Sequence, residues 1–385
     1  MAADRVAVVA ASVVTALGAD LPSTFRALVE GRGAIAPVRG FDASAFGEPV
    51  AAQLPPPDAG ADDGPTRVRT HHGRLLDLTS RRAHDDAKLG TLARDAIGLF
   101  AALPVVDSEP AALAAAVVAS RTATGALDLD AFFATGFRAI HPLWPLEMLN
   151  NVALGQTAAD LDVRGDNTVV SSEADAGVRA VADAVGAIRR GELAAAIAVG
   201  VADQVCVGAL ARARLRAVPG ETLGEGAGAL ALELESAARA RGLAPYAFVT
   251  GAGFAFERSP VGPGPSSDAI GRAVLAALAE AGRTAADVSI LIVEGTGVEE
   301  AAARRELFGA KGSSIAVVAP AMAIGHLRAG AAVVGAALAS AMLATGTAPS
   351  TAHGRPRTVA KNGVAVVLAS GSGGQAAALV VEGVS

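Results

Sequence analysis

Cysteine, aromatic residues and basic charge are all scarce in this sequence, and each shortage excludes a class of protein. The single cysteine, Cys206, leaves no internal disulfide framework and no cysteine-based zinc site in a chain of 385 residues. Such cysteine usage is typical of a reducing compartment, so we expect a cytoplasmic protein. Phe, Trp and Tyr together make up 3% of the residues, which argues against the aromatic platforms that stack single-stranded nucleic acid.

The charge balance is mildly acidic. Lys and Arg number 32 against 38 Asp and Glu, which gives a net charge of −6. A phosphate-binding surface normally carries a basic excess, so we expect no nucleic-acid partner. Apolar residues make up 52% of the chain but are spread along it. No run of 18 or more residues is typical of a membrane span, and the N-terminus has no export signal, so we expect no membrane partner.

Short apolar runs alternate with Ala-rich helical stretches along the whole chain. The pattern predicts strands at 5–14, 114–120, 167–170, 195–201, 229–235, 247–250, 288–293, 314–318, 364–369 and 377–381. It predicts helices at 21–30, 89–103, 175–190, 267–282, 301–308 and 331–344, and a loop at 55–64. This alternation predicts a layered α/β fold with mostly parallel strands. We place the boundary of two halves, 1–245 and 246–385, where no linker is visible, and expect one body.

Several segments, in their order along the chain, resemble the β-ketoacyl synthase family. They are 5–42, 142–177, the Gly-rich strand 191–201, the turn GEGAGALAL at 224–232, Gly325-His326 with the small-residue helix after it, and Gly371-Ser372-Gly373-Gly374. The resemblance runs from about residue 5 to 380. It implies the thiolase fold, in which two similar βαβαβαββ halves form a five-layered αβαβα arrangement with an extensive dimer interface.

The same resemblance locates the residues of a condensing site. Active members carry a Cys thiolate at a helix N-terminus, two histidines and usually a lysine. Counting back from Gly191 places Ala174 at the nucleophile position, where it offers no nucleophile. Glu294 lies at or beside the first histidine position, and Ala321 lies at the lysine position. His326 keeps the second histidine. In the C-terminal gate, a serine stands where the family has a phenylalanine.

Three other candidate sites give weaker indications of function. Cys206 lies after the following strand and is interpreted as a buried apolar thiol. His71, His72 and His84 lack the spacing of ligands on one helix face, so we expect a solvated segment and no metal. The glycine-rich turn at 224–228 lacks the Lys-Ser/Thr of a phosphate loop and precedes a strand, so no nucleotide or other cofactor is expected.

A chain that resembles a β-ketoacyl synthase but lacks its cysteine, one histidine and the lysine is similar to the chain length factors, or ketosynthase β subunits, of bacterial type II polyketide synthases. The resemblance implies a heterodimer with an active ketosynthase α subunit, whose acyl-chain tunnel this chain shapes, and an acyl carrier protein that delivers the chain. Members from aromatic pathways usually carry Gln at the position of Ala174, so a polyene or other reduced-chain pathway stays open. The candidates for closing the tunnel follow 114–120 and are Leu127, Leu129, Phe132 and Phe133, with ordinary core packing as the alternative.

Two other functions stay open. The chain could be a surviving enzyme, either a malonyl-carrier decarboxylase that uses His326 or an acyl hydrolase or transferase built on Glu294 and Ser172. It could also be a free-standing module that binds an acyl carrier or a lipid. Decarboxylating relatives with a replaced cysteine generally keep both histidines, so the missing histidine counts against the decarboxylase.

Overall fold

The structure, a computed structural model, describes residues 4–55, 70–106, 110–216, 221–295, 297–350 and 355–384. The strands are β1 Val6–Thr15, β2 Ala36–Pro37, β3 Val50–Ala52, β4 Ile97–Ala102, β5 Asn167–Val170, β6 Ala195–Ala202, β7 Leu223–Gly224, β8 Gly226–Leu234, β9 Ala247–Phe256, β10 Val288–Ile292, β11 Ala316–Val318, β12 Thr347–Ala348, β13 Arg357–Thr358, β14 Val364–Ser370 and β15 Gln375–Gly383. The α-helices are α1 Leu21–Val29, α2 His71–Asp86, α3 Pro110–Ala119, α4 Leu129–Ala134, α5 Trp144–Glu147, α6 Asn150–Leu161, α7 Asp175–Arg189, α8 Val207–Arg216, α9 Glu235–Ala240, α10 Ser267–Glu280, α11 Val298–Phe308, α12 Ala321–Ile324 and α13 Ala331–Thr345.

Ten strands form one large sheet in which two five-stranded halves meet. The strand order is β11-β10-β14-β15-β9-β1-β8-β6-β4-β5. If the five strands of each half are numbered along the chain, both halves have the order 1-5-4-2-3 from the junction outwards. The junction is the antiparallel contact between β1 and β9, where Val6 lies opposite Val249 and Val8 opposite Ala247. The two halves therefore repeat one topology, as the resemblance implied.

Helices cover both faces of each half. The central core packs α7 and α13 between the two halves of the sheet, while α2 and α6 cover the outer face of the first half and α10 and α11 that of the second. The close packing of α7 and α13 depends on small residues, because a Cβ at Gly177 would lie 2.9 Å from both Ala329 O and the Ala332 methyl. This arrangement confirms the five-layered αβαβα fold.

The expectation of mostly parallel strands is wrong. Among the nine neighbouring pairs of the described sheet, four are parallel and five are antiparallel. The parallel pairs lie at the two ends of the sheet, and the antiparallel pairs lie in its centre. The β14–β15 pair is antiparallel because the short Gly371–Gly374 loop turns the chain back, as the strand pair predicted around these glycines requires.

Two predicted elements are also wrong. The strand predicted at 114–120 lies in helix α3, where Pro110 starts an Ala-rich run that favours a helix. The helix predicted at 89–103 contains strand β4, which lies between β5 and β6 and is buried along its whole length. A continuously apolar strand has no alternation, so its periodicity cannot be told from that of a buried helix.

Two further expectations concern the outside of the molecule. Most of the loop predicted at 55–64 lies outside the described residues. The solvated character expected for the histidine segment is wrong for His72, which is 3% exposed because it faces the sheet from the first turn of α2. The boundary near residue 245 stays a prediction.

One helical stretch, Arg328–Thr345, is long and apolar enough to cross a membrane, with a mean hydropathy of 1.4. It contains α13, and 78% of it is buried inside the protein. Its apolar character is accounted for by its place between the two halves of the sheet, where a helix is apolar on all sides.

Candidate functional site

The predicted nucleophile position lies at a helix N-terminus, as the resemblance required. Ala174 directly precedes α7, close after β5, and its side chain is fully buried. A helix N-terminus stabilises negative charge, but a methyl group carries none. The neighbouring Ser172 hydroxyl donates to Asp175 Oδ1 at 2.9 Å, and burial raises the pKa of that carboxyl. The hydroxyl is therefore held by an acid and not by a histidine base.

Glu294 and His326 lie together at the second part of the site. Glu294 follows β10, and His326 lies in the turn between α12 and α13. The His326 Nδ1 accepts the backbone N–H of Arg328 at 3.1 Å, which assigns the ring proton to Nε2. That Nε2 lies 3.3 Å from Glu294 Oε2. The ring proton of His326 is thus directed at a carboxylate of the same chain.

Three of the four predicted positions line one pocket. Its empty volume is about 360 Å³, and its walls include Glu294, Ala321 and His326. Ala321 begins α12, and its methyl group lies at the position predicted to have lost the family's lysine. Ala174 is not among the lining residues. The pocket is therefore a small, largely aliphatic cavity with one carboxylate–imidazole pair in its wall.

A buried ion-pair network crosses the site, and it consists of Glu173, Arg328 and Glu221 with the attached Ser372. The Arg328 guanidinium contacts Glu221 directly and lies 3.6 Å from Glu173 Oε2. The Ser372 hydroxyl donates to Glu173 Oε1 at 3.0 Å, and its backbone N–H donates to Glu173 Oε2. Serine at this gate therefore ties the Gly371–Gly374 loop to the residue before Ala174, where a phenyl ring could not.

Arg328 occupies an unusual position. Only 6% of its surface is exposed, and its φ of 45° places a non-glycine residue in the left-handed region. The sequence analysis missed this residue together with Glu173 and Glu221. A signal was available, because Arg328 is the one charge in the run from Ile324 to Met342, and a charged side chain in an apolar run is buried only when it is paired.

Two further carboxyl groups, those of Glu294 and Glu300, lie close to this network. Glu300, in the first turn of α11, accepts backbone hydrogen bonds from Glu294 and Gly295. Burial, together with the nearby charge of Glu294, raises the pKa of Glu300 to about 8. Burial likewise raises the pKa of Glu294, and His326 opposes that rise. The site thus holds a carboxyl whose pKa lies above neutral pH, and Ala174 supplies no nucleophile at the start of α7.

The predicted tunnel residues lie elsewhere, at the surface of the single chain. Leu127, Leu129 and Phe133 are exposed, the last by 71%, and Phe132 is half-buried. The rings of Phe132 and Phe133 pack edge to face, with centroids 5.3 Å apart. None of the four lines the pocket beside His326. Ordinary core packing does not describe the three exposed side chains.

Three of these side chains are among ten large apolar side chains that are exposed between residues 105 and 149, here called the 105–149 surface. Its exposed members are Val105, Val117, Val118, Leu127, Leu129, Phe133, Phe137, Leu143, Leu146 and Leu149. Contiguous exposed apolar surface on a folded protein marks an interaction site. The free edge of the ten-stranded sheet, β5, lies in the same half of the chain.

Comparison with known proteins adds family matches along most of the chain. Residues 3–238 match the profile described as "Beta-ketoacyl synthase, N-terminal domain", and residues 246–355 match "Beta-ketoacyl synthase, C-terminal domain". The 3-oxoacyl-[acyl-carrier-protein] synthase 2 of Rhizobium meliloti (strain 1021) is 31% identical over 56% of this chain and 57% of its own length. The granaticin polyketide beta-ketoacyl synthase 2 of Streptomyces violaceoruber is 29% identical over 98% of this chain and 96% of its own.

Solved structures show the same fold. The ishigamide ketosynthase/chain length factor superposes with a TM-score of 0.84 at 22% identity over 100% of both chains. A type II PKS acyl-carrier protein complex with its ketosynthase bound to the hexaketide gives 0.83 at 16% identity, over 99% of this chain and 100% of that chain. At these identities the likeness concerns the fold, and it matches the two-half architecture described above.

Proposed function

Because the chain belongs to the β-ketoacyl synthase family, we propose that it is a non-catalytic chain length factor of a type II polyketide synthase. In this role it pairs with an active ketosynthase and shapes the tunnel that holds the growing acyl chain. The observation that carries the proposal is the buried methyl group of Ala174 at the start of α7, where the family's condensing chemistry needs a thiolate.

The rest of the site supports the same conclusion. Decarboxylation and condensation need N–H donors that are free to stabilise an enolate oxygen. The Nε2–H of His326 is directed at Glu294, and Ala321 supplies no ammonium group. The Glu173 carboxylate next to Ala174 would also oppose the formation of a thiolate there. Three separate features therefore disfavour condensation by this chain alone.

The 105–149 surface supports a partner. We propose that an active ketosynthase covers it and extends the sheet across the free edge of β5, which would otherwise stay open to aggregation. The ishigamide ketosynthase/chain length factor, which this chain matches over its full length, is a pair of this kind by name. We further propose an acyl carrier protein as the source of the chain, a cytoplasmic location and no cofactor. A polyene or other reduced product stays open.

One observation favours a second candidate function, a residual decarboxylase or acyl hydrolase. His326 and two carboxyls with raised pKa values, Glu294 and Glu300, lie in or next to one pocket and could exchange a proton with a bound thioester. Against this candidate, the Ser172 hydroxyl donates a hydrogen bond to Asp175, and not to a histidine that could activate the hydroxyl as a nucleophile.

The test is acyl transfer measured by intact mass. Incubated with an acyl-carrier thioester, the chain alone should gain no acyl mass, whereas its partner ketosynthase should gain one acyl group per chain. Polyketide should form only when both chains are present. The decarboxylase alternative predicts release of CO₂ from malonyl carrier protein by the chain alone, abolished by His326→Ala. A stoichiometric adduct on this chain near Ala174 would overturn the proposal.

A further inference from the structure

Outside the pocket, three side chains capable of binding a metal converge from three different elements. Asp203 directly follows β6, Glu225 lies between β7 and β8, and His71 is the first residue of α2. The antiparallel register pairs Ala202 with Gly226, so the two carboxylates next to that pair are neighbours by construction. One donor atom from each of the three side chains lies within 4.8 Å of the other two.

The environment of these groups leaves their charge poorly compensated. Glu225 is 7% exposed, and its Oε2 accepts the Leu54 backbone N–H at 2.9 Å. In the part of the chain that the structure describes, the ion-pair contact of Asp203 is with His72 Nδ1 at 4.0 Å. No arginine or lysine of that part pairs with either carboxylate.

Among these three side chains, the imidazole of His71 gives the strongest indication of a bound ligand. Its Nε2 is buried and has no hydrogen-bond partner among the described residues. The positive end of α2 would favour two nearby carboxylates, but it gives that ring nitrogen nothing to bind. A bound cation would use the imidazole and both carboxylates together.

We propose that His71, Asp203 and Glu225 bind one divalent cation of the class of Zn²⁺ or Mn²⁺, with water completing the coordination. One imidazole and two carboxylates are ligands that suit these ions, at bond lengths of about 2.0–2.2 Å. Ligands of a tetrahedral ion at those lengths lie roughly 3.3 Å apart. Binding would require the half-buried His71 and Asp203 side chains to move their donor atoms from within 4.8 Å of one another to that spacing, while the Leu54 N–H holds Glu225. The ion would fasten the start of α2 to the ends of β6 and β8.

The experiment uses the full chain, in complex with its partner ketosynthase if it is soluble only in that form. The protein is stripped with a chelator and titrated with ZnCl₂, MnCl₂ and MgCl₂ by calorimetry. Zinc or manganese should bind at about one ion per chain and raise the Tm by several degrees at saturation, because an ion that binds only the folded state stabilises it. Magnesium, which dehydrates reluctantly and prefers all-oxygen sites, should bind at least about tenfold more weakly.

Variants separate this site from general surface binding. His71→Gln and Asp203→Asn should each weaken zinc binding by at least about tenfold, while their metal-free Tm stays close to that of the unchanged protein. His84→Gln is the matched control, since His84 lies on the same helix but contacts Asp85 at 2.9 Å. The proposal fails if no saturable binding is found, or if His84→Gln weakens binding as much as His71→Gln. It does not depend on the proposed polyketide role.

Discussion

Glu300 is a residue whose protonation is set by the fold and not by its sequence neighbours. Its carboxyl lies in the first turn of α11, beside the buried Glu294, and its pKa is raised to about 8 mainly by burial. In an unfolded chain a glutamate titrates near its ordinary value of about 4.3. Between these two values the folded state binds a proton that the unfolded state does not.

This difference makes stability depend on pH in a defined direction. Because the folded state holds the extra proton, the free energy of unfolding should fall as pH rises from about 4.5 to about 8, by at most about 1.4 kcal/mol per unit. Glu300→Gln, which mimics the protonated form, should flatten that slope and stabilise the protein more at pH 8.5 than at pH 5. Denaturant unfolding at several pH values measures it.

The matched control is Glu299→Gln, one position earlier in the same turn. Glu299 accepts hydrogen bonds from the Ser259 hydroxyl and from the Ser267 backbone N–H, so this variant measures the effect of losing a different carboxylate in the same turn. An unchanged slope in Glu300→Gln would show that another group carries the pH dependence.

Single residues of the site were predictable to different degrees. Ala174, Ala321 and His326 could be located because short motifs fix their distance from recognisable glycines. The residues of the ion-pair network could not be located, because only the folded chain brings them together. Arg328 lies 155 residues from Glu173 and 107 residues from Glu221 along the chain. The residues proposed to bind a metal could not be singled out for the same reason, since spacing on one helix says nothing about residues from three elements.

At the scale of elements, helix α4 and the turn before it carry the tunnel hypothesis. Asp128 caps the helix, with its side chain accepting from the Ala131 N–H at 3.0 Å, which fixes the direction of the two phenyl rings after it. Phe132 and Phe133 are therefore presented on a rigid element and not on a loop. In the proposed heterodimer they would face the partner's acyl chain.

Truncation of these rings should lengthen the product. Phe132→Ala or Phe133→Ala, assayed with the partner ketosynthase, should extend the polyketide by roughly one or two two-carbon units, because a phenyl ring occupies the volume of several methylenes. The rate of the first condensation should barely change, since the proposed nucleophile belongs to the partner. Mass spectrometry of the products measures the length distribution.

Two further variants complete the set, Leu127→Ala and Leu129→Ala. The control is Phe256→Ala, an exposed phenyl ring on β9, which should leave product length unchanged. If all four tunnel variants give the parent distribution while the heterodimer stays intact, the tunnel is closed by other residues.

Elements with a clear period were predicted well, whereas two of the apolar elements were assigned the wrong type. Helix α7 and strand β5 agree with their predicted ranges to within one residue, because an amphipathic stripe and flanking polar residues mark their ends. Strand β4 and helix α3 were each assigned the opposite type. Both are continuously apolar runs, in which packing between neighbouring elements decides the outcome.

At the scale of the whole molecule, the single chain leaves an apolar face unpartnered. The 105–149 surface and the edge strand β5 both belong to the first half of the fold, while the corresponding edge of the second half is β11. Obligate interfaces typically bury about 2,000 Å² or more and are rich in apolar residues. We therefore expect this face to be covered whenever the protein is soluble.

The 105–149 surface should cause the chain to associate with itself or with its partner. Expressed alone, the chain should be poorly soluble or form a homodimer, and it should move into a 1:1 complex when the partner ketosynthase is present. Phe137→Glu places a charge within the 105–149 surface and should weaken the complex by at least about tenfold. Phe256→Glu, outside that surface, should not. Sedimentation at micromolar concentration distinguishes these states, and a stable monomer would contradict the expectation.

In the proposed non-catalytic role, the ion-pair network around Arg328 makes a return to catalysis difficult in evolution. Restoring a cysteine at position 174 places the thiol beside the Glu173 carboxylate, and His326 stays engaged with Glu294, so the first step back brings no activity to select. Removing Arg328 first leaves the buried Glu221 carboxylate without its guanidinium, at a cost of about 3–5 kcal/mol. On this proposal, the first of these substitutions gives an inert protein and the second a destabilised one, so neither offers an improvement for selection to retain.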